Sequence, residues 1–67
     1  MPLVQVTLAE GRSPDQLRAL ISKITAAVSE AVDAPPQNIR VVLYEVPTTH
    51  WAAGDVTLAE RANQETS

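Results

Sequence analysis

From residue 3 to residue 8 the chain alternates, with Val4, Val6 and Leu8 on one side and Leu3, Gln5 and Thr7 on the other. A period of two carried by β-branched side chains predicts a strand. Ala9, Glu10, Gly11 and Arg12 read as its exit turn, where Gly11 can supply a positive φ. The period then changes: Leu17, Leu20, Ile21, Ile24, Val28 and Val32 recur at spacings of three and four, with Arg18, Ser22, Lys23, Ser29 and Glu30 between them. That stripe predicts an amphipathic helix of about 18 residues. Ser13-Pro14-Asp15-Gln16 gives its start: Ser as N-cap, Pro at the first helical position, an acid in the first turn and Gln at the capping-box position. Asp33-Ala34-Pro35-Pro36 ends it, since proline has no N–H to continue the ladder. A second strand follows over residues 39–46, where Ile39, Val41 and Leu43 alternate with Arg40, Val42 and Tyr44.

Strand, capped helix and strand make a βαβ unit, an α/β (α+β) arrangement with parallel strands and a right-handed crossover. The remainder, residues 47–67, carries a turn cluster, one Trp, a Gly-Asp pair and a short apolar stretch at Val56 and Leu58. It reads as a small hairpin or arm, fraying beyond about Arg61. The chain is thus expected to be one domain over residues 1–67, with a βαβ core at 1–46 and the arm at 47–67.

Two strands and one helix cannot cover both faces of a parallel sheet, so the face carrying Leu3, Val42 and Tyr44 is expected to meet another subunit. Size points the same way. A chain of 67 residues buries only about 60% of its unfolded surface, and with no cysteine and one His neither disulfides nor a structural metal can compensate. Oligomerisation is the remaining common device.

The formal net charge of -3 argues against nucleic acid as a partner. No apolar run, basic leader or lipidation motif points to a membrane, and the expectation is a soluble cytoplasmic protein.

Few residues remain that carry chemistry. Removal of Met1, which a small second side chain permits, would make the Pro2 nitrogen a free secondary amine. Burial beside positive charge disfavours an ammonium and brings such an amine toward neutrality, where general-base catalysis is most effective. The blander reading of Pro2 is a tolerated strand-edge residue. Arg12 and Arg40 offer two planar forks suited to the two ends of a dicarboxylate, or else two solvated surface charges. Trp51 is the only Trp and lies in a polar stretch, either as a wall that keeps a site dry or as an anchor against a partner subunit. His50 reads as a solvated loop residue, and the carboxylates are scattered. No phosphate loop, nucleophile elbow or metal motif is present.

Taken together, M-P at the start, a strand, E-G-R-S, an amphipathic helix, D-A-P, a strand containing I-R-V-V, then H-W and a glycine resembles the 4-oxalocrotonate tautomerase family over nearly the whole chain. The resemblance implies a hexamer, a trimer of dimers, with each active site built by neighbouring subunits. It implies that Pro2 is the amino-terminal base and that Arg12 binds the far carboxylate. Arg40 would hold the carboxylate and oxygen at the enol end, and Trp51 would stand where the family usually has Phe. The implied reaction isomerises 2-hydroxymuconate to a conjugated 2-oxo-hexenedioate, in aromatic-compound catabolism, without cofactor or metal.

Ala52-Ala53-Gly54-Asp55 departs from the family's usual glycine-rich loop with a bulkier aliphatic, and a small Ala53 with an acidic Asp55 would widen the pocket and alter its charge. Alternatives on the same scaffold are hydration or dehalogenation of a small unsaturated acid, ketonisation of another enol such as phenylenolpyruvate, or a noncatalytic carboxylate-binding subunit. The homohexamer has a heterohexamer of related chains as its alternative.

Overall fold

The computed structural model describes residues 1–66. The first alternating run forms strand β1 (Leu3–Ala9) and the apolar stripe forms helix α1 (Pro14–Val32). Gly11 takes φ 131° in the turn between them. At the start of α1 the Ser13 hydroxyl accepts from the Gln16 N–H at 3.2 Å, and the Gln16 side-chain oxygen accepts from the Ser13 N–H at 2.9 Å. Two amides that the first turn would leave unpaired are thereby satisfied. At the other end Asp33 adopts the left-handed conformation (φ 56°), and the Ser29 hydroxyl donates to the Ala34 carbonyl at 2.7 Å.

A short 3-10 turn over Pro36–Asn38 carries the chain to strand β2 (Arg40–Val46). The expected strand thus starts one residue late, because the Ile39 N–H closes that turn on the Pro36 carbonyl at 3.0 Å instead of joining the ladder. β1 and β2 pair in parallel with Leu3 opposite Arg40 and Ala9 opposite Val46. Val4, Val6, Val41 and Leu43 are half-buried on the side covered by α1, and Ile39, at 8% exposure, is the most buried residue of 1–63. On the other side Leu3 (57% exposed), Val42 and Tyr44 (48%) lie open. There the Gln5 amide donates to the Tyr44 hydroxyl at 3.2 Å.

Beyond Val46 comes a second 3-10 turn (Thr48–His50), then a hairpin of β3 (Ala52–Ala53) and β4 (Val56–Thr57). Its two turn residues, Gly54 and Asp55, both have positive φ (58° and 67°), the pattern of a type I′ turn, which matches the twist of paired strands. The hairpin is as expected. The fraying is not: residues 58–66 form helix α2 (Leu58–Thr66), while Ser67 lies outside the described residues. Thr57 and Glu60 supply the reason, as a second capping box.

The chain measures 48 × 24 × 16 Å, with a radius of gyration of 15.5 Å against about 11 Å for a compact domain of this length. Its accessible surface of 5003 Å² likewise exceeds the roughly 4,100 Å² of a folded monomer of this mass. An arm that stands away from the βαβ unit accounts for both excesses.

Candidate active site

Four residues were singled out by sequence, and the parallel register sorts them into two pairs. Pro2 lies just ahead of β1 and Arg40 opens β2; the Arg40 N–H donates to the Pro2 carbonyl at 2.9 Å. These two therefore share the end of the sheet where the strands begin. Arg12 follows the turn that leaves β1, and Trp51 lies on the arm that leaves β2. At that end the Glu10 N–H donates to the Val46 carbonyl at 2.9 Å, holding the two exits side by side. Six strand steps separate the two ends, about 20 Å. One chain does not bring all four residues together, and it encloses no cavity among its described residues.

Both guanidinium groups are exposed and anchored in the same manner. Arg12 Nη1 donates to the Ala9 carbonyl and Arg40 Nη1 to the Gln37 carbonyl, each at 2.9 Å and each three residues back. Such a bond fixes one corner of the planar fork and leaves the rest of its donors for an anion. No carboxylate pairs with either arginine among the described residues. His50 is exposed, with its N–H donating to the Pro47 carbonyl at 2.8 Å. Asp55 sits at the hairpin tip with φ 67°, a conformation that Asp tolerates better than most residues. The local geometry thus accounts for its place in the turn.

Around Trp51 the structure adds residues that the sequence reading passed over. The Leu58 N–H donates to the Trp51 carbonyl at 2.9 Å, and Arg61 Nη2 donates to the Ala53 carbonyl at 3.3 Å. The Glu60 carboxylate accepts from the Thr57 N–H at 3.0 Å and from the Thr57 hydroxyl at 2.9 Å. Those bonds, the backbone one foremost, hold the Glu60 carboxyl below the usual carboxylate range. Thr57-Leu58-Ala59-Glu60 is a T-x-x-E signature legible in the sequence.

Comparison with known proteins gives a consistent picture. The family model described as tautomerase enzyme matches residues 2–61. The 2-hydroxymuconate tautomerase of Comamonas testosteroni is 43% identical over 60 residues, 90% of this chain and 95% of that protein. Among solved structures, TomN, a 4-oxalocrotonate tautomerase homologue in the tomaymycin biosynthetic pathway, superposes with a TM-score of 0.90 at 42% identity, covering 92% of this chain and 95% of that one. A heterohexamer 4-oxalocrotonate tautomerase from Chloroflexus aurantiacus superposes with a TM-score of 0.86 at 40% identity, covering 90% of this chain and 97% of that one. Likeness in sequence and in backbone thus spans the βαβ unit and the arm alike, and on both grounds the chain belongs to the tautomerase family, among the 4-oxalocrotonate tautomerases, and is an isomerase.

Proposed function

We propose that this tautomerase converts 2-hydroxymuconate, or a closely similar 2-hydroxydienoate, to its conjugated 2-oxo isomer, with Pro2 as the proton carrier once Met1 has been removed. The neutral ring nitrogen takes the enol proton. Electron density moves along the diene as the oxygen becomes a ketone, and the resulting ammonium returns its proton to the distant carbon. The same group is base and then acid, and the reaction closes on proton transfer alone. Arg40 holds the carboxylate and oxygen at the enol end. Arg12 binds the far carboxylate and draws charge toward it, so that stabilisation grows as the dienolate forms. Trp51 excludes water, which strengthens both charge interactions.

The observation that carries this reading is the separation of Pro2 and Arg40 from the turn that bears Arg12 by the length of β1. A small diacid cannot bridge that span, but two chains related by a twofold axis can set the Pro2 end of one against the Arg12 end of the other. The open apolar face with Leu3, Val42 and Tyr44 and the protruding arm give such an assembly its contacts. We extend it to a hexamer of identical chains, with the heterohexamer of Chloroflexus aurantiacus as the structural precedent for six subunits.

Intact mass of the native protein, combined with an ultraviolet assay of 2-hydroxymuconate ketonisation, tests the proposal. The mass is expected to lack Met1, and Pro2→Ala to lower turnover by about 10²–10⁴-fold, the range typical for removal of a general base. A Met1-free wild type without activity, or an alanine variant equal to wild type, contradicts it.

A further inference from the structure

The turn and strand that follow Trp51 offer little apolar surface to hold them. Ala52, Ala53, Gly54 and Asp55 are all exposed, and each strand of the hairpin has only two residues, too few to be stable alone in water. Within the chain, the directional bonds that hold it join Thr57 to Glu60, Leu58 to Trp51 and Arg61 to Ala53. In a hairpin with a two-residue turn, Ala53 and Val56 form the hydrogen-bonded pair, while Ala52 and Thr57 face each other without ladder bonds. The Thr57 N–H is therefore free of the ladder, and the Glu60 carboxylate takes it, together with the Thr57 hydroxyl. That hydroxyl in turn accepts from the Glu60 N–H at 3.1 Å.

The box so formed starts α2 at Leu58, and Leu58 is the residue whose N–H grips the Trp51 carbonyl. One turn further on, Arg61 reaches back to the Ala53 carbonyl. The strand that begins just after Trp51 is thus flanked by two held carbonyls, that of Trp51 by the next rung of the hairpin, whose donor Leu58 is also the first residue of α2, and that of Ala53 by the Arg61 side chain.

We propose that Glu60 and Arg61 are positioning residues for the substrate site: they clamp the β3 strand to α2 and thereby set the place of the Trp51 ring against the bound diacid. The inference rests on the reading of Trp51 as the wall of that site. Neither residue needs to touch substrate. Loss of the clamp leaves Pro2, Arg12 and Arg40 in place and loosens the aromatic wall, so it acts on substrate binding more than on the proton-transfer step.

The experiment uses Trp51 as its own reporter, since it is the only Trp. Emission maximum and acrylamide quenching are measured on the assembled, substrate-free enzyme, and KM and kcat on 2-hydroxymuconate, for wild type, Glu60→Ala, Glu60→Gln, Arg61→Ala and Arg61→Lys. Sedimentation confirms that each variant assembles. Glu60→Ala is expected to shift emission to the red, to increase quenching, and to raise KM roughly three- to tenfold with kcat changed less, the size expected for a lost cap. Arg61→Ala is expected to change the same quantities in the same direction, by less. Glu60→Gln keeps a carbonyl oxygen for the Thr57 N–H and is expected to restore most of the wild-type behaviour, as is Arg61→Lys.

Unchanged emission and quenching in both alanine variants overturn the proposal. So does a red shift with unaltered KM, which would make the clamp a structural device only. A Met1-free wild type inactive on 2-hydroxymuconate would sink the substrate reading instead, and the substrate-free fluorescence would still decide whether α2 holds Trp51.

Discussion

The βαβ unit over residues 1–46 and the arm over residues 47–66 are held together by different physics. In the first, apolar residues from two strands and one helix meet: Val4, Val6, Val41 and Leu43 lie beneath the stripe of α1, with Ile39 buried at one end. In the second, a strand of two alanines is fixed by carbonyl contacts from Leu58 and Arg61 and by the Thr57–Glu60 box. Both helices begin with a capping box, Ser13 with Gln16 and Thr57 with Glu60. For α1 that box supplements a packed face; for α2 it stands among the few local contacts the arm has. Hydrophobic burial specifies where a layer sits, while directional bonds specify where one ring sits, and this protein uses each for the corresponding task.

The largest effect is expected where the βαβ unit lacks a layer. Val42→Asp places a carboxylate in the middle of the open face, and an unpaired charge buried in an interface costs on the order of 3–5 kcal/mol. Sedimentation should report loss of the assembly and the ultraviolet assay loss of activity. Retention of both would mean that this face is not covered by another chain. Next comes Ile39→Ala, expected to lower stability to urea by about 2–4 kcal/mol, with Ile39→Val nearer 1 kcal/mol. An alanine effect below that of the valine variant would show that the packing around Ile39 does not bear on stability.

The smallest effect belongs to the arm and depends on pH. Glu60 is held below the ordinary carboxylate range by its bonds to Thr57, so it binds fewer protons folded than unfolded. Its contribution is complete above the unfolded value and is lost as the pH falls through the lower, folded one. The stability of the wild type to urea should show a transition in that acidic window. In Glu60→Gln the transition should be missing; its persistence would assign the change to another group.

The two regions also differed in how much their sequence disclosed. The 3.6-residue stripe and the alternating strands mark α1, β1 and β2 because burial on one side leaves a period behind. Ser13-Pro14-Asp15-Gln16 marks the helix start for an equally local reason. Leu58 to Thr66 leaves no comparable stripe, so its helix was missed although Thr57 and Glu60 announced its first turn. Arg61 carried no signal at all, since its partner is a backbone carbonyl eight residues away. Of the proposed site, Pro2, Arg12, Arg40 and Trp51 stand out in the sequence as candidate chemistry. Their division between opposite ends of the sheet does not, because it follows from the pairing register of β1 with β2.

That division is the centre of the account, and subunit mixing tests it most directly. Pro2→Ala and Arg12→Ala chains, each inactive or nearly so alone, are unfolded together, refolded as mixed oligomers and assayed on 2-hydroxymuconate. If one chain supplies Pro2 and its neighbour supplies Arg12, random mixing in equal parts restores about a quarter of the sites. Activity no greater than the sum of the two separate variants, in oligomers shown by mass spectrometry to contain both chains, would contradict it.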